Sequence, residues 1–179
     1  MTEVGSVYGE ALYSLCLEEG LSESVLTQLA VLETSFTEAP EFLRLLSSPA
    51  LTKAERCRII DDSFRGRLQP YLLNFLKILT EKGYIRNFSD CYEAYRDCYN
   101  KTHNILPVTA TTALPLTKEQ VQRLTEKLST LTGKTVQLHN QLEPSVVGGL
   151  RLDYDGKRLD DTIANRMDSI RNLLKNTVL

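Results

Sequence analysis

The sequence predicts an all-α N-terminal six-helix bundle over residues 1–104, followed by a small α+β C-terminal domain over residues 105–179. Three observations carry that division. Up to Asn104 the apolar residues recur at intervals of three and four, the repeat of a helix with one buried face. Beyond Asn104 the repeat shortens: Leu106 to Leu114 is rich in Val, Thr and Ala, and Val136 and Leu138, then Leu150, Leu152 and Tyr154, alternate with polar residues. The Asp155-Gly156 pair that follows is a favoured two-residue hairpin turn.

Within the bundle, Val4, Tyr8, Ala11, Leu12 and Leu15 fall at helical spacing in a first helix that ends near Gly20, a suitable left-handed cap. Ser22 is placed to cap the second helix and Leu21 and Leu26 to staple its entry. Val25, Leu29, Leu32 and Phe36 form its stripe, and it stops before Pro40. Pro40 suits the first turn of a short third helix bearing Phe42, Leu43 and Leu46, which Pro49 ends. Thr52 and Glu55 make a capping box for a fourth helix with Cys57, Ile60 and Phe64, up to a break at Gly66. From Tyr71 to Leu79 the fifth helix is apolar on nearly every side, as suits a helix surrounded by neighbours, and Gly83 closes it. Asn87 and Asp90 start a sixth, with Phe88, Cys91, Tyr92, Tyr95, Cys98 and Tyr99 on one face.

In the second domain, Pro107 in an uncharged run marks Leu106 to Leu114 as an edge strand. Leu116, Thr117, Gln120 and Val121 combine a staple with a capping box. Val121, Leu124, Leu128 and Leu131 then carry one face to Gly133. A last helix begins after Asp160 and Asp161 and runs through Ile163, Met167, Ile170 and Leu174. Arg171 and Lys175 gather near its C-terminal end, as its dipole favours.

Composition narrows the function. With 42% apolar residues in 179, the chain builds its cores without staples. No stretch approaches the roughly 20 apolar residues that cross a bilayer, and the N-terminus lacks a basic region followed by an apolar one. From Met1 to Glu41 there are eight glutamates and no Lys or Arg, the opposite of an organelle transit peptide, so an unprocessed bacterial cytoplasmic protein is expected. A net charge of −2 without a basic cluster argues against nucleic acid and anionic membrane surfaces. Residues 1–104 hold 11 basic and 15 acidic side chains and residues 105–179 hold 10 and 8, an asymmetry that points to two different partners.

Residues that could carry chemistry read as structural. Cys16, Cys57, Cys91 and Cys98 form no CxxC pair and lie apart from His103 and His139 at any zinc-ligand spacing, so they are expected as core residues, and no metal or cofactor is expected. Gly148 and Gly149 lack a following GK[ST] and are expected as a bend or bulge. Asp153, Asp155 and Gly156 open like a calcium loop, but its twelfth position is Ala164 where a glutamate is needed. Tyr92, Tyr95 and Tyr99 sit at helical spacing on an acidic domain and are expected in packing rather than in base stacking. No GxSxG or other nucleophile motif accompanies either histidine.

Four short motifs then carry a family resemblance. They are Tyr8-Gly9-Glu10-Ala11-Leu12, the Ser48-Pro49 turn followed by Lys53, the Asn74-Phe75-Leu76 run to Gly83, and Glu143-Pro144-Ser145-Val146-Val147-Gly148-Gly149. The last is the most specific, because a strand, a turn, an aspartate and a final helix follow it in the family's order through Ile163. Over essentially its whole length the chain resembles the delta-subunit family of the rotary ATP synthase, whose mitochondrial relative is the oligomycin-sensitivity conferral protein. It departs at Tyr84, where the family usually has Arg, and at Thr162, often Ser.

The resemblance implies a non-catalytic stator connector that joins the catalytic head to the peripheral stalk and supports energy coupling. It implies that the helical domain binds the N-terminal helix of an alpha subunit, in a groove between the first and fifth helices. The C-terminal domain would meet the ends of the b subunits, with the protein held peripherally at the cytoplasmic face of the bacterial plasma membrane. Carried onto this sequence, the groove is lined by Tyr8, Ala11, Leu12 and Leu15 and by Phe75, Leu76 and Leu79, while Pro144, Gly148, Gly149, Asp155, Gly156 and Asp160 form the family's structural motif. The same first-helix stripe serves equally as bundle core. Two other readings stand beside this one: a freestanding adaptor that grips an amphipathic helix of another complex, and an enzyme with its pocket between the domains.

Overall fold

Six α-helices come first: α1 (Glu3–Glu18), α2 (Ser22–Glu38), α3 (Pro40–Leu46), α4 (Lys53–Phe64), α5 (Pro70–Lys82) and α6 (Phe88–Thr102), with a 3-10 turn, Ile85–Asn87, before the last. The computed structural model describes residues 2–144, 146 and 148–161. The chain divides into two units, the first ending at Tyr99 and the second starting at Asn100.

In the first unit, the α2 stripe Val25, Leu29, Leu32 and Phe36 is buried, in one cluster with Leu46, Ile60, Leu72, Leu76, Leu79, Phe88 and Tyr95. Phe36 meets Phe88 edge to face at 4.9 Å, and Tyr95 meets Tyr13 likewise at 5.3 Å. The Tyr95 hydroxyl, wholly buried, donates to the Ser22 carbonyl at 2.9 Å, so the polar tip of a core ring is satisfied by backbone. The capping box on α4 is formed from both sides by Thr52 and Glu55. Backbone and hydroxyl donors of Thr52 hold the Glu55 carboxyl below its ordinary range.

Three local expectations need correction. Ser22 is the first residue of α2 rather than its cap; Leu21 takes that place and offers no side-chain acceptor. Asp90 does not cap α6 from outside. It lies within the first turn and accepts from the Thr2 backbone N–H at 2.9 Å, which fastens the start of α1 to α6. Hydrogen bonds from the Thr2 side chain and then its backbone hold the Asp90 carboxyl below its ordinary range. The buried side of α1 is Gly5, Gly9, Leu12, Tyr13 and Cys16, so Ala11 and Leu15 of the expected stripe face outward.

The second unit contains β1 (Ile105–Thr112), α7 (Lys118–Thr132), β2 (Thr135–Leu142), β3 (Arg151–Tyr154) and β4 (Lys157–Asp160). The sheet order is β2-β1-β3-β4; β1 and β2 are parallel and joined through α7, and the other pairs are antiparallel. Register places Leu106 beside Val136, Val108 beside Leu138 and Tyr154, and Ala110 beside Leu152. These residues make the face on which Leu124 and Leu128 of α7 pack. The α7 capping box of Thr117 and Gln120 is present.

Here too the structure revises the reading. The first strand is interior, not an edge. Because β3 pairs only with Val108 to Thr111, Pro107 lies where β1 has β2 on one side alone, and its missing N–H need not break the β1–β3 ladder. Leu131 does not continue the buried face of α7: it is 81% exposed, whereas Leu128 is buried. The Asp155-Gly156 turn closes β3 onto β4 with φ of 48° and 71°, the left-handed pair that such a two-residue turn requires. The helix expected beyond Asp161 lies outside the described residues.

Candidate partner-binding site

The position of α1 is set by its glycines. A Cβ on Gly5 would fall on the Asp90 side chain, and one on Gly9 would come within 2.8 Å of Ala94 Cβ and closer still to the Cys91 carbonyl. Absence of both side chains lets α1 lie backbone-close against α6. Beside that committed face, α1 also borders α5. The Tyr8 ring stands 5.9 Å from that of Tyr84, just past the end of α5, while Glu19 at the end of α1 lies against Tyr71 at the start of α5. The two helices are therefore antiparallel neighbours. The charge of Glu19 raises the Tyr71 hydroxyl's pKa.

The seven groove residues expected from the sequence divide between two environments. Leu12, Phe75, Leu76 and Leu79 belong to the buried cluster, with Tyr8 half-buried against it. Ala11 and Leu15 are exposed on α1. The structure adds two residues that the sequence reading missed: Ile78 on α5 is 38% exposed and Tyr84 37%, close to the 40% of Leu15. A signal for Ile78 was present, since Asn74 and Lys82, one turn to either side, are polar and share its face. That face of α5 is open, where the apolar run had implied a helix covered all round.

The flank of α5 beside α4 is held by charge. Lys77 Nζ lies 2.6 Å from Asp61 Oδ1, and this contact holds the Asp61 carboxyl below its ordinary value. Near the far ends, α1 has Glu18 and Glu19 and no basic residue in its last turn, whereas α5 carries Lys82 in its own. Burial raises the Cys16 thiol and pushes Cys91 up to about 12, which leaves both protonated and unreactive at neutral pH. Among the described residues no group of three His, Cys, Asp or Glu is arranged to hold a metal ion.

In the second unit the motif residues mark the link from β2 to β3. The Glu143 N–H donates to the Thr112 carbonyl at 2.9 Å and that of Val146 to the Glu143 carbonyl at 3.0 Å, a turn that includes the exposed Pro144. Gly148 and Gly149 follow at φ of 153° and 94°, a backbone bend that side-chain-bearing residues rarely adopt. Asp160 stands opposite Arg151 in the β3–β4 register, and Arg151 reaches Glu143 at 2.9 Å.

A family model described as ATP synthase delta (OSCP) subunit matches residues 4–174. The chain belongs to that family. Family members are the stator-connecting subunit of the ATP synthase, and that is the function of this chain. It is 33% identical to the ATP synthase subunit delta of Alkaliphilus oremlandii, over 96% of this chain and 95% of that one. It is 26% identical to the subunit delta of Clostridioides difficile, over 98% and 97%. A chain of the Toxoplasma gondii mitochondrial ATP synthase hexamer, seen by cryo-EM, shares the fold with a TM-score of 0.77 at 19% identity, covering 97% of this chain and 98% of that one. No helix among the described residues is long and apolar enough to cross a membrane.

Proposed function

We propose that this delta-family chain is a non-catalytic connector whose first unit, a six-helix bundle, takes the N-terminal helix of the ATP synthase alpha subunit between α1 and α5. The second unit then holds the ends of the b subunits, and the assembly sits at the cytoplasmic face of a bacterial plasma membrane. One observation carries the first contact: Ala11 and Leu15 of α1 and Ile78 of α5 stay open on antiparallel neighbours, beside the Tyr8–Tyr84 ring pair. Leu12, Phe75, Leu76 and Leu79 stand behind that face and fix the spacing of its walls. Exposed Leu114, Leu131 and Leu142 on the second unit support the other contact.

A connector under torque needs persistent attachment rather than a reactive group, and a helix laid into a groove supplies it. Each large apolar side chain buried contributes roughly 1.5–3 kcal/mol, so four or five anchors offset an association cost of at least about 4 kcal/mol. Small Ala11 lets a partner backbone approach.

Ala11→Asp tests the reading. A carboxylate forced against an apolar helix lowers affinity for an alpha-subunit N-terminal peptide by about 100-fold or more in titration calorimetry. Helical circular dichroism stays unchanged, because Ala11 is exposed. Unaltered affinity removes Ala11 from the interface.

A further inference from the structure

The open face between α1 and α5 has unlike ends. Glu18 is the last residue of α1 and Glu19 its cap, with no basic residue in the last turn, so two carboxylates sit at the negative end of a helix dipole. By contrast α3 and α5 end with Arg44 and Lys82, as the dipole favours. Both glutamates are exposed, and neither makes an ion pair among the described residues. The contact of Glu19 with Tyr71 is to a neutral hydroxyl and leaves the charge in place. Glu18 and Glu19 follow Leu15 by three and four positions, so their charge adjoins the apolar face. At the opposite end Lys82 follows Ile78 by four. Each helix thus brings its own charge to one end of the same apolar surface, and among the described residues no cation pairs with the two carboxylates.

We propose that the groove selects an amphipathic helix carrying Lys or Arg one turn beyond the apolar side chain that meets Leu15, so that a cation lands between Glu18 and Glu19 and sets which way the helix lies. This rests on the helix-docking reading above. The pairing is partly solvated, so it contributes to rate and orientation as much as to affinity, and it weakens with salt.

The test uses the full chain and two versions of the alpha-subunit N-terminal peptide, one unaltered and one with each Lys and Arg replaced by Gln, titrated calorimetrically at low and high salt. The neutral peptide binds roughly 3- to 10-fold more weakly at low salt, and the gap closes at about 0.5 M salt. Glu18→Gln with Glu19→Gln weakens the unaltered peptide by a similar factor and leaves the neutral one unaffected, the non-additivity expected of a direct pair. Equal affinities for the two peptides, in a protein where Ala11→Asp still weakens binding by about 100-fold or more, overturn the charge pairing and leave the groove standing. Failure of both peptides to bind the wild-type chain overturns the groove and this inference together.

Discussion

Gly9 decides more than its size implies. Valine there would drive its Cβ onto the Cys91 carbonyl and Ala94, and a backbone oxygen cannot swing aside as a flexible side chain does. Replacing glycine in a helix ordinarily gains a few tenths of a kcal/mol, but the overpacking costs roughly 1–3 kcal/mol and wins. Gly9→Val therefore lowers the urea midpoint by an amount equal to about 2 kcal/mol, with the same change at exposed Ser14 as the reference. An equal shift at both positions refutes the close approach. The spacing Gly5 to Gly9 is visible in the sequence, yet glycine contributes nothing to an apolar stripe, so the α1 core face lies a few residues from the one expected. Tyr84 is the converse: its departure from the family's usual Arg was legible, but its meeting with Tyr8 arises from helices far apart in the chain.

Among the elements, caps and turns were the most legible. The boxes at Thr52 and Thr117 and the Asp155-Gly156 turn are local, satisfied within a few residues, so their chemistry is written in consecutive letters. The clasp between β1, β2 and the loop before α7 was not legible. Asn140 Nδ2 donates to the Ala110 carbonyl at 2.8 Å and to Thr112 Oγ1 at 2.9 Å, while its Oδ1 accepts from the Leu116 N–H at 2.9 Å. Leucine at 140 removes all three hydrogen bonds and costs about 1–3 kcal/mol. By hydrogen exchange, the Leu116 amide of Asn140→Leu loses protection while helix α2 in the first unit keeps its own. Retained protection at Leu116 shows that the clasp is dispensable.

At the scale of the whole molecule, the connector role predicts a deficit without loss of any active site. Membranes from cells depleted of this chain, once washed, release ATP hydrolysis into the supernatant, and what remains bound no longer pumps protons. Retention with normal coupling rejects the role. Family, the order of the described elements and the two classes of secondary structure were legible in the sequence alone, because helical period, strand alternation, caps and short motifs depend on neighbours a few residues away. Which side chains of α1 and α5 stay open was decided by tertiary structure. Leu12 and Leu15 look alike in a stripe, but the glycine-mediated approach of α6 turns one inward and leaves the other in solvent. Interior placement of the Pro107 strand was likewise settled only when β3, more than 40 residues later, paired alongside it. Burial belongs to surfaces that meet across the chain, and a linear pattern specifies that a face exists without specifying what covers it.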